Sequence, residues 1–267
     1  MSPWLEVCRA AVADVQEVLT RLPTRSEREP VVGTGLGGDE TTAIDEAAER
    51  AIVGRLEQTG LDFQLVSEEL GERRFGAGGP LHVVLDPIDG SLNAKRGIPF
   101  FAVSLAVAEG PSMADVVFGF VSDLGTGEEW TATRGVGAFL NGERLGAVRP
   151  KEEIEILSFE ATRTDLVAGQ AAAFVGLAYR LRIMGSLALS LCHLAAGRVD
   201  AVCSLKPGRA VDIAAAQLLV RECGLEIGLP DVAESFAQAP LDTLGRSRVV
   251  AAGTPELCSR VAAALQA

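Results

Sequence analysis

The segment Leu85-Asp86-Pro87-Ile88-Asp89-Gly90-Ser91-Leu92-Asn93 places two carboxylates three residues apart, with a glycine and a hydroxyl immediately after. Hard divalent cations such as Mg²⁺ take oxygen ligands, commonly one or two carboxylates together with water and substrate phosphate. Pro87 opens a turn on one side of which Asp86 and Asp89 can converge, with the Ile88 carbonyl also free to coordinate. Gly90 lets the backbone approach a ligand closely. A helix beginning near Ser91 would aim its first amides at a bound anion. A metal cage beside an anion cradle is what phosphoryl hydrolysis requires. The alternative is an ordinary Asp-Pro, Asp-Gly surface turn.

Three further acidic segments bear on that choice. Val66-Ser67-Glu68-Glu69 puts two acids at a strand end, where a solvated loop is the other account. Asp39-Glu40-Thr41-Thr42-Ala43-Ile44-Asp45 puts acids at a helix start, where Asp and Thr also serve as caps for free amides. Asp212 sits in Ala210-Val211-Asp212-Ile213-Ala214-Ala215-Ala216 at the opening of a helix. A carboxylate among such neighbours is costly to bury unless it is paired, ligating or capping.

The elements that must carry these groups follow from periodicity. Apolar residues recur at helical spacing from Trp4 to Leu22, and Pro23 stops that helix. Thr24 to Gly38 is polar and glycine-rich and is expected to be a mobile loop that covers the site. A helix over 44–56 and strands over 63–67 and 83–86 come next, the last ending at Asp86 because Pro87 offers no donor. Strands over 101–109, 116–122 and 128–132 follow, and Asn141-Gly142 is a strong turn signal. Beyond a seam near Arg149-Pro150, strands at 154–159, 180–183, 199–204 and 247–252 alternate with helices at 166–175, 186–196 and 211–223 and a C-terminal helix. Antiparallel strands first and alternating strands and helices later predict an α/β protein with an α+β lobe over 1–149 and an α/β lobe over 150–267.

Composition narrows the function. Lys and Arg number 24 against 36 Asp and Glu, a formal net charge of −12. That argues against a nucleic-acid binder, which needs a basic face to displace counterions. An anionic substrate would then need locally supplied positive potential, which a bound metal ion provides. The apolar stretch Phe100 to Ala108 falls far short of the roughly 18 residues that span a bilayer. The opening Met-Ser-Pro-Trp-Leu-Glu lacks the basic and apolar regions of a secretory signal, so the cytoplasm is expected. Five cysteines without a CxxC pair read as free thiols, and two histidines are too few for a His-rich zinc site. His193 reads as a packing residue, and Gly76-Ala77-Gly78-Gly79 lacks the Lys-Ser/Thr of a P-loop.

The blocks Val-Ser-Glu-Glu, Asp-Pro-Ile-Asp-Gly-Ser-Leu-Asn and Val-Asp-Ile-Ala-Ala, with Gly185-Ser186-Leu187-Ala188 and Gly197-Arg198-Val199-Asp200, resemble the inositol monophosphatase and fructose-1,6-bisphosphatase superfamily over nearly the whole chain. Its archaeal-type dual-substrate members look closest. The resemblance implies a layered αβαβα sugar-phosphatase fold, a homodimer, and two or three Mg²⁺ ions per site. It implies one ion on Glu68, Asp86 and the Ile88 carbonyl, a second on Asp86, Asp89 and Asp212, and a third held in part by Glu68. Gly90 and Ser91 amides would receive phosphate, and Ser91, Asp45 and Glu68 would form the catalytic group, with the Ser91 hydroxyl paired to Asp45 to activate water. The implied substrate is a small phosphorylated metabolite such as inositol 1-phosphate or fructose 1,6-bisphosphate, with no nucleic acid or membrane partner. The alternatives are a 3′-phosphoadenosine 5′-phosphate phosphatase and a catalytically silent binding relative. Two departures matter. Val211 stands where many relatives have tryptophan, and Ser204 stands where inositol-specific members carry a substrate-binding acid. With Lys206 and Arg209 close by, the second departure points to a more highly charged substrate, whose remote end Arg163, Arg180, Lys206 or Arg209 is expected to reach.

Overall fold

The computed structural model describes residues 3–35, 40–146, 151–160 and 163–266. Asp39 and the expected seam at Arg149-Pro150 lie outside the described residues. The chain opens with helix α1 (Pro3–Arg21), the short α2 (Arg25–Arg28), strands β1 (Val31–Thr34) and β2 (Glu40–Thr42), and helix α3 (Ala43–Glu57). Strands β3 (Phe63–Ser67), β4 (Gly71–Phe75) and β5 (His82–Asp89) lead into the six-residue α4 (Ser91–Arg96). Then come β6 (Ala102–Ala108), β7 (Val116–Asp123), β8 (Glu129–Thr133), β9 (Gly137–Leu140) and β10 (Glu143–Arg144). The last part runs β11 (Ile154–Glu160), α5 (Thr164–Gln170), β12 (Ala178–Arg182), α6 (Leu187–Ala195), β13 (Ala201–Ser204), α7 (Ala210–Glu222), β14 (Glu226–Gly228), β15 (Val250–Ala252) and α8 (Pro255–Gln266).

An eight-stranded sheet has the order β10-β9-β8-β7-β6-β5-β3-β4, and a five-stranded sheet the order β12-β11-β13-β15-β14. Helices α1 and α3 cover the outer face of the larger sheet, α6 and α7 lie between the two sheets, and α8 covers the far face of the smaller one. This is the five-layer αβαβα arrangement. Strand β6 shows how sequence sets the layers, because side chains alternate faces along a strand. Val103, Leu105 and Val107 enter the core under α1 and α3, whereas Ala102, Ala106 and Ala108 face the core that contains α6 and α7. Small residues on that face let α7 lie close. A Cβ built on Gly119 of β7 would come within 2.5 Å of the Ala215 carbonyl oxygen. Helix α7 is apolar nearly all round, as a helix packed on two sides must be, and this is why its acid at Asp212 needs a reason.

Three expectations are corrected. The stretch expected as a loop over 24–38 is not simply one: within its described residues, 24–35, α2 forms, and β1 pairs antiparallel with β2 as a two-stranded ribbon, while 36–38 lie outside the described residues. Strand β5 does not stop at Asp86. Its pairing with β6 skips from Asp86↔Ser104 to Asp89↔Ala102, so a bulge absorbs Pro87 and carries the strand through to Asp89. Strands β4 and β14 arise where no strand was expected. Gly71-Glu72-Arg73-Arg74-Phe75 is a charged edge strand with no apolar alternation to signal it. Among the described residues no helix is long and apolar enough to cross a membrane. All five cysteines are free thiols, four of them buried.

Candidate active site

A cleft of about 300 Å³ is lined from both sides of the molecule: by Asp45, Glu68, Glu69, Asp86, Ile88, Asp89, Gly90 and Ser91, and by Glu160, Gly185, Lys206, Arg209 and Asp212. The bulge in β5 shapes its floor. Asp86, 2% exposed, accepts a hydrogen bond from the Ile88 amide (3.0 Å), which closes the tight turn around Pro87. Gly90 then takes a left-handed φ of 92°, and a Cβ there would lie 3.0 Å from the Phe100 carbonyl and 3.1 Å from the Gly185 carbonyl. Only glycine passes between them. The Ser91 hydroxyl donates to the Ile88 carbonyl (3.0 Å). Asp89 accepts from the Ser186 hydroxyl and from the Ala188 amide (2.7 Å), which ties the end of β5 to the start of α6.

Glu68 and Glu69 follow β3 directly. Glu49 on α3 fixes their backbone by accepting from the Ser67 hydroxyl and the Leu70 amide (3.1 Å). Asp45 does cap α3: its Oδ2 accepts from the Thr42 amide (3.2 Å) and hydroxyl. Its Oδ1 is buried with no partner among the described residues, so the cap uses only half of the carboxylate. Asp212 is likewise a cap, accepting from the Arg209 amide (2.6 Å) at the start of α7. It is also brought to the metal-type cluster: Glu68, Asp86 and Asp212 each offer a carboxylate oxygen, all within 4.8 Å of one another. Capping and clustering are one placement, because the third residue of a helix projects beyond its N-terminus.

The electrostatics are those of crowded acids. Burial drives the Asp86 carboxyl well above its ordinary range, and Glu68, Asp89 and Asp212 push it further. Burial also raises Glu68, against the opposing pull of Arg209. Asp89 and Glu69 are each pushed up to about 7 by burial, although hydrogen bonds from Ser186 and Thr41 respectively work the other way. Arg209 ion-pairs with Glu68 and lies 3.4 Å from Asp212. Burial disfavours its charge, but Asp212, Glu68 and Asp86 outweigh that and hold it protonated.

An all-oxygen donor set, three mutually close carboxylates and an unengaged buried Asp45 oxygen fit a hard divalent cation. Of the cations expected to meet substrate, Lys206 and Arg209 line the cleft and Arg163 and Arg180 do not. Arg163 is paired with Asp165 (2.9 Å) and Arg180 with Glu155 (3.3 Å), both in exposed positions. The structure adds Lys95 and Arg246 to the lining, and also Glu160, which accepts from Ser158 (2.8 Å), Ser190 (2.7 Å) and the Gly185 amide (2.8 Å). No local pattern around Glu160 marks it, whereas Gly185-Ser186 was visible as a motif.

Carboxylates from the end of β3, the bulge of β5 and the start of α7 meet in one cleft, with cationic side chains in its lining, an arrangement suited to a metal-dependent hydrolase of anionic substrates. The comparisons make the class specific. Residues 1–267 match the model of the Inositol monophosphatase family, and the chain belongs to that family of metal-dependent phosphatases. The fructose-1,6-bisphosphatase/inositol-1-monophosphatase of Methanothermobacter thermautotrophicus is 32% identical over 98% of this chain and 96% of its own length. The protein of the same description from Thermococcus kodakarensis is 34% identical over 83% and 82%. The solved structure of an inositol monophosphatase-fructose 1,6 bisphosphatase superposes with a TM-score of 0.85 at 28% identity, covering 98% of this chain and 100% of that one.

Proposed function

We propose that the cleft hydrolyses a small sugar or inositol phosphate with Mg²⁺, inositol 1-phosphate and fructose 1,6-bisphosphate being the substrates to which the relatives' names point. The observation that carries this reading is the convergence of Glu68, Asp86 and Asp212, from residues 68 to 212, on one point of the cleft. Glu68, Asp86, the Ile88 carbonyl, Asp89 and Asp212 would hold two or three ions. Bound there, Mg²⁺ supplies an acidified water and neutralises charge on the phosphoryl oxygens.

The remaining work falls to the chain. Gly90 and Ser91 present backbone at the cleft wall, placed by the left-handed turn, and receive the phosphoryl oxygens through their amides. The Ser91 hydroxyl, which donates to the Ile88 carbonyl in this structure, would turn to the open Oδ1 of Asp45, orient the attacking water and relay the water's proton to that carboxylate. Lys95, Lys206 and Arg246 bring cationic side chains to the acid-lined cleft of a chain of net charge −12, where an anionic substrate can meet them. Free thiols support a reducing, cytoplasmic setting, and family likeness supports a homodimer, which light scattering tests.

The test is phosphate release from a panel of sugar phosphates, inositol phosphates and 3′-phosphoadenosine 5′-phosphate, with and without Mg²⁺. Mg²⁺-dependent turnover of a sugar or inositol phosphate is expected. A strong preference for the nucleotide would overturn the substrate class, and no turnover on any member would leave a binding protein.

A further inference from the structure

Arg209 was expected at the remote end of the substrate, yet its guanidinium lies inside the carboxylate cluster. Its Nη2 bonds Glu68 and stands 3.4 Å from Asp212, and the side chain is only 10% exposed. The Glu68 and Asp212 carboxylates it engages belong to the set of three whose oxygens lie within 4.8 Å of one another. A guanidinium and a divalent cation cannot both occupy so small a space, because they repel and compete for the same oxygens. The backbone of Arg209 is fixed, since its amide is bound to Asp212 at the cap of α7, whereas the side chain is long and has several rotatable bonds. Lys206 and Arg246 line the same cleft, and a guanidinium leaving the cluster enters the space they share.

We propose that Arg209 works in two positions. Before metal binds it is the counter-cation that keeps Glu68 and Asp212 gathered. Once Mg²⁺ takes those carboxylates it swings into the cleft and contacts the anionic substrate. The inference rests on the reading of this cleft as a Mg²⁺ site. Arg209 thereby competes with the metal and assists the substrate, and its removal moves the two affinities in opposite directions. A residue that only supports the fold would weaken both.

Calorimetric titration of Mg²⁺ into the wild type, Arg209→Met and Arg209→Lys provides the test, combined with Michaelis kinetics at saturating Mg²⁺. If the ion-paired state holds about nine molecules in ten, Arg209→Met binds Mg²⁺ about tenfold more tightly than the wild type. Its KM rises severalfold, and Arg209→Lys falls between the two in both measurements, which keeps the test valid if the Met variant folds poorly. Unchanged or weaker Mg²⁺ binding by both variants, alongside normal binding by the wild type, overturns the proposal and leaves the phosphatase reading standing. Tighter Mg²⁺ binding with an unaltered KM overturns the substrate position. A wild type that takes no Mg²⁺ at this cleft overturns both readings together.

Discussion

A lone buried acid and a cluster of buried and half-buried ones line the same cleft and are built in opposite ways. Glu160, at the end of β11, accepts from two serine hydroxyls and one backbone amide, so its charge is met by neutral donors from its own side of the molecule. Glu68, Asp86 and Asp212 lie within 4.8 Å of one another, and Arg209 pairs with Glu68 and approaches Asp212. The first arrangement is complete as it stands and stabilises the fold. The second crowds like charges in a poorly solvated place, which costs stability until a cation arrives. Where a protein leaves charge uncompensated in its interior, the missing partner belongs to its function.

Neutralising an acid in each set sharpens this contrast. Asp86→Asn should lower kcat/KM at least about a thousandfold in phosphate-release assays, as expected for removing a central ligand. The same change should raise the melting temperature of the metal-free protein at neutral pH, because folding no longer has to bury or protonate that carboxylate. A lower melting temperature would show that the cluster is already balanced. Glu160→Gln should do the reverse in stability. An amide has one acceptor oxygen where the carboxylate has two, so a donor is left unmet at a cost of about 1–3 kcal/mol, read by denaturant titration. Activity should fall less than in Asp86→Asn, because Glu160 lies outside the cluster of Glu68, Asp86 and Asp212 and is held by Ser158, Ser190 and the Gly185 amide.

A pH titration comes next in size. Asp89 and Glu69 are held near 7 in the folded protein by burial, against ordinary values of 3.8 and 4.5. Acids raised in this way contribute stability that is full below their unfolded values and is lost as pH climbs through about 7. The metal-free protein should therefore melt at a lower temperature at pH 8 than at pH 5, and Mg²⁺ should raise the melting temperature more at pH 8. A flat profile without metal would dissolve the distinction between the two sets. The smallest effects belong to Arg163→Ala and Arg180→Ala. Both residues sit in exposed ion pairs off the cleft, so KM should change less than about twofold.

How much of this was legible in the sequence divides along the same line. The floor of the site is written locally: the turn from Asp86 to Ser91 needs Pro87, Gly90 and two acids at fixed spacing, and the structure uses each of them there. Asp212 could be flagged because a lone acid in an apolar helix opening is anomalous, and its partners could be named only through the family likeness. Strand β5 running through Pro87 was hidden because a bulge depends on the register with β6, which no local pattern encodes. The β1–β2 ribbon was hidden by its polar, glycine-rich composition. Glu160 was missed, and the pairing of Arg209 with Glu68 was not foreseen, because both depend on groups far apart in the chain: Ser190 lies 30 positions from Glu160, and Arg209 lies 141 from Glu68.

Gly90 carries a mechanical consequence. Three stretches of backbone pass within touching distance there: its own turn, the one at Phe100 that opens into β6, and the one at Gly185 that leads into α6. The bend that shapes the reacting centre is therefore also the gauge that sets how closely the parts of the molecule on either side of it may approach. A methyl group added at this position would act as a shim, and even a chain that still folded would lose turnover before it lost its secondary structure.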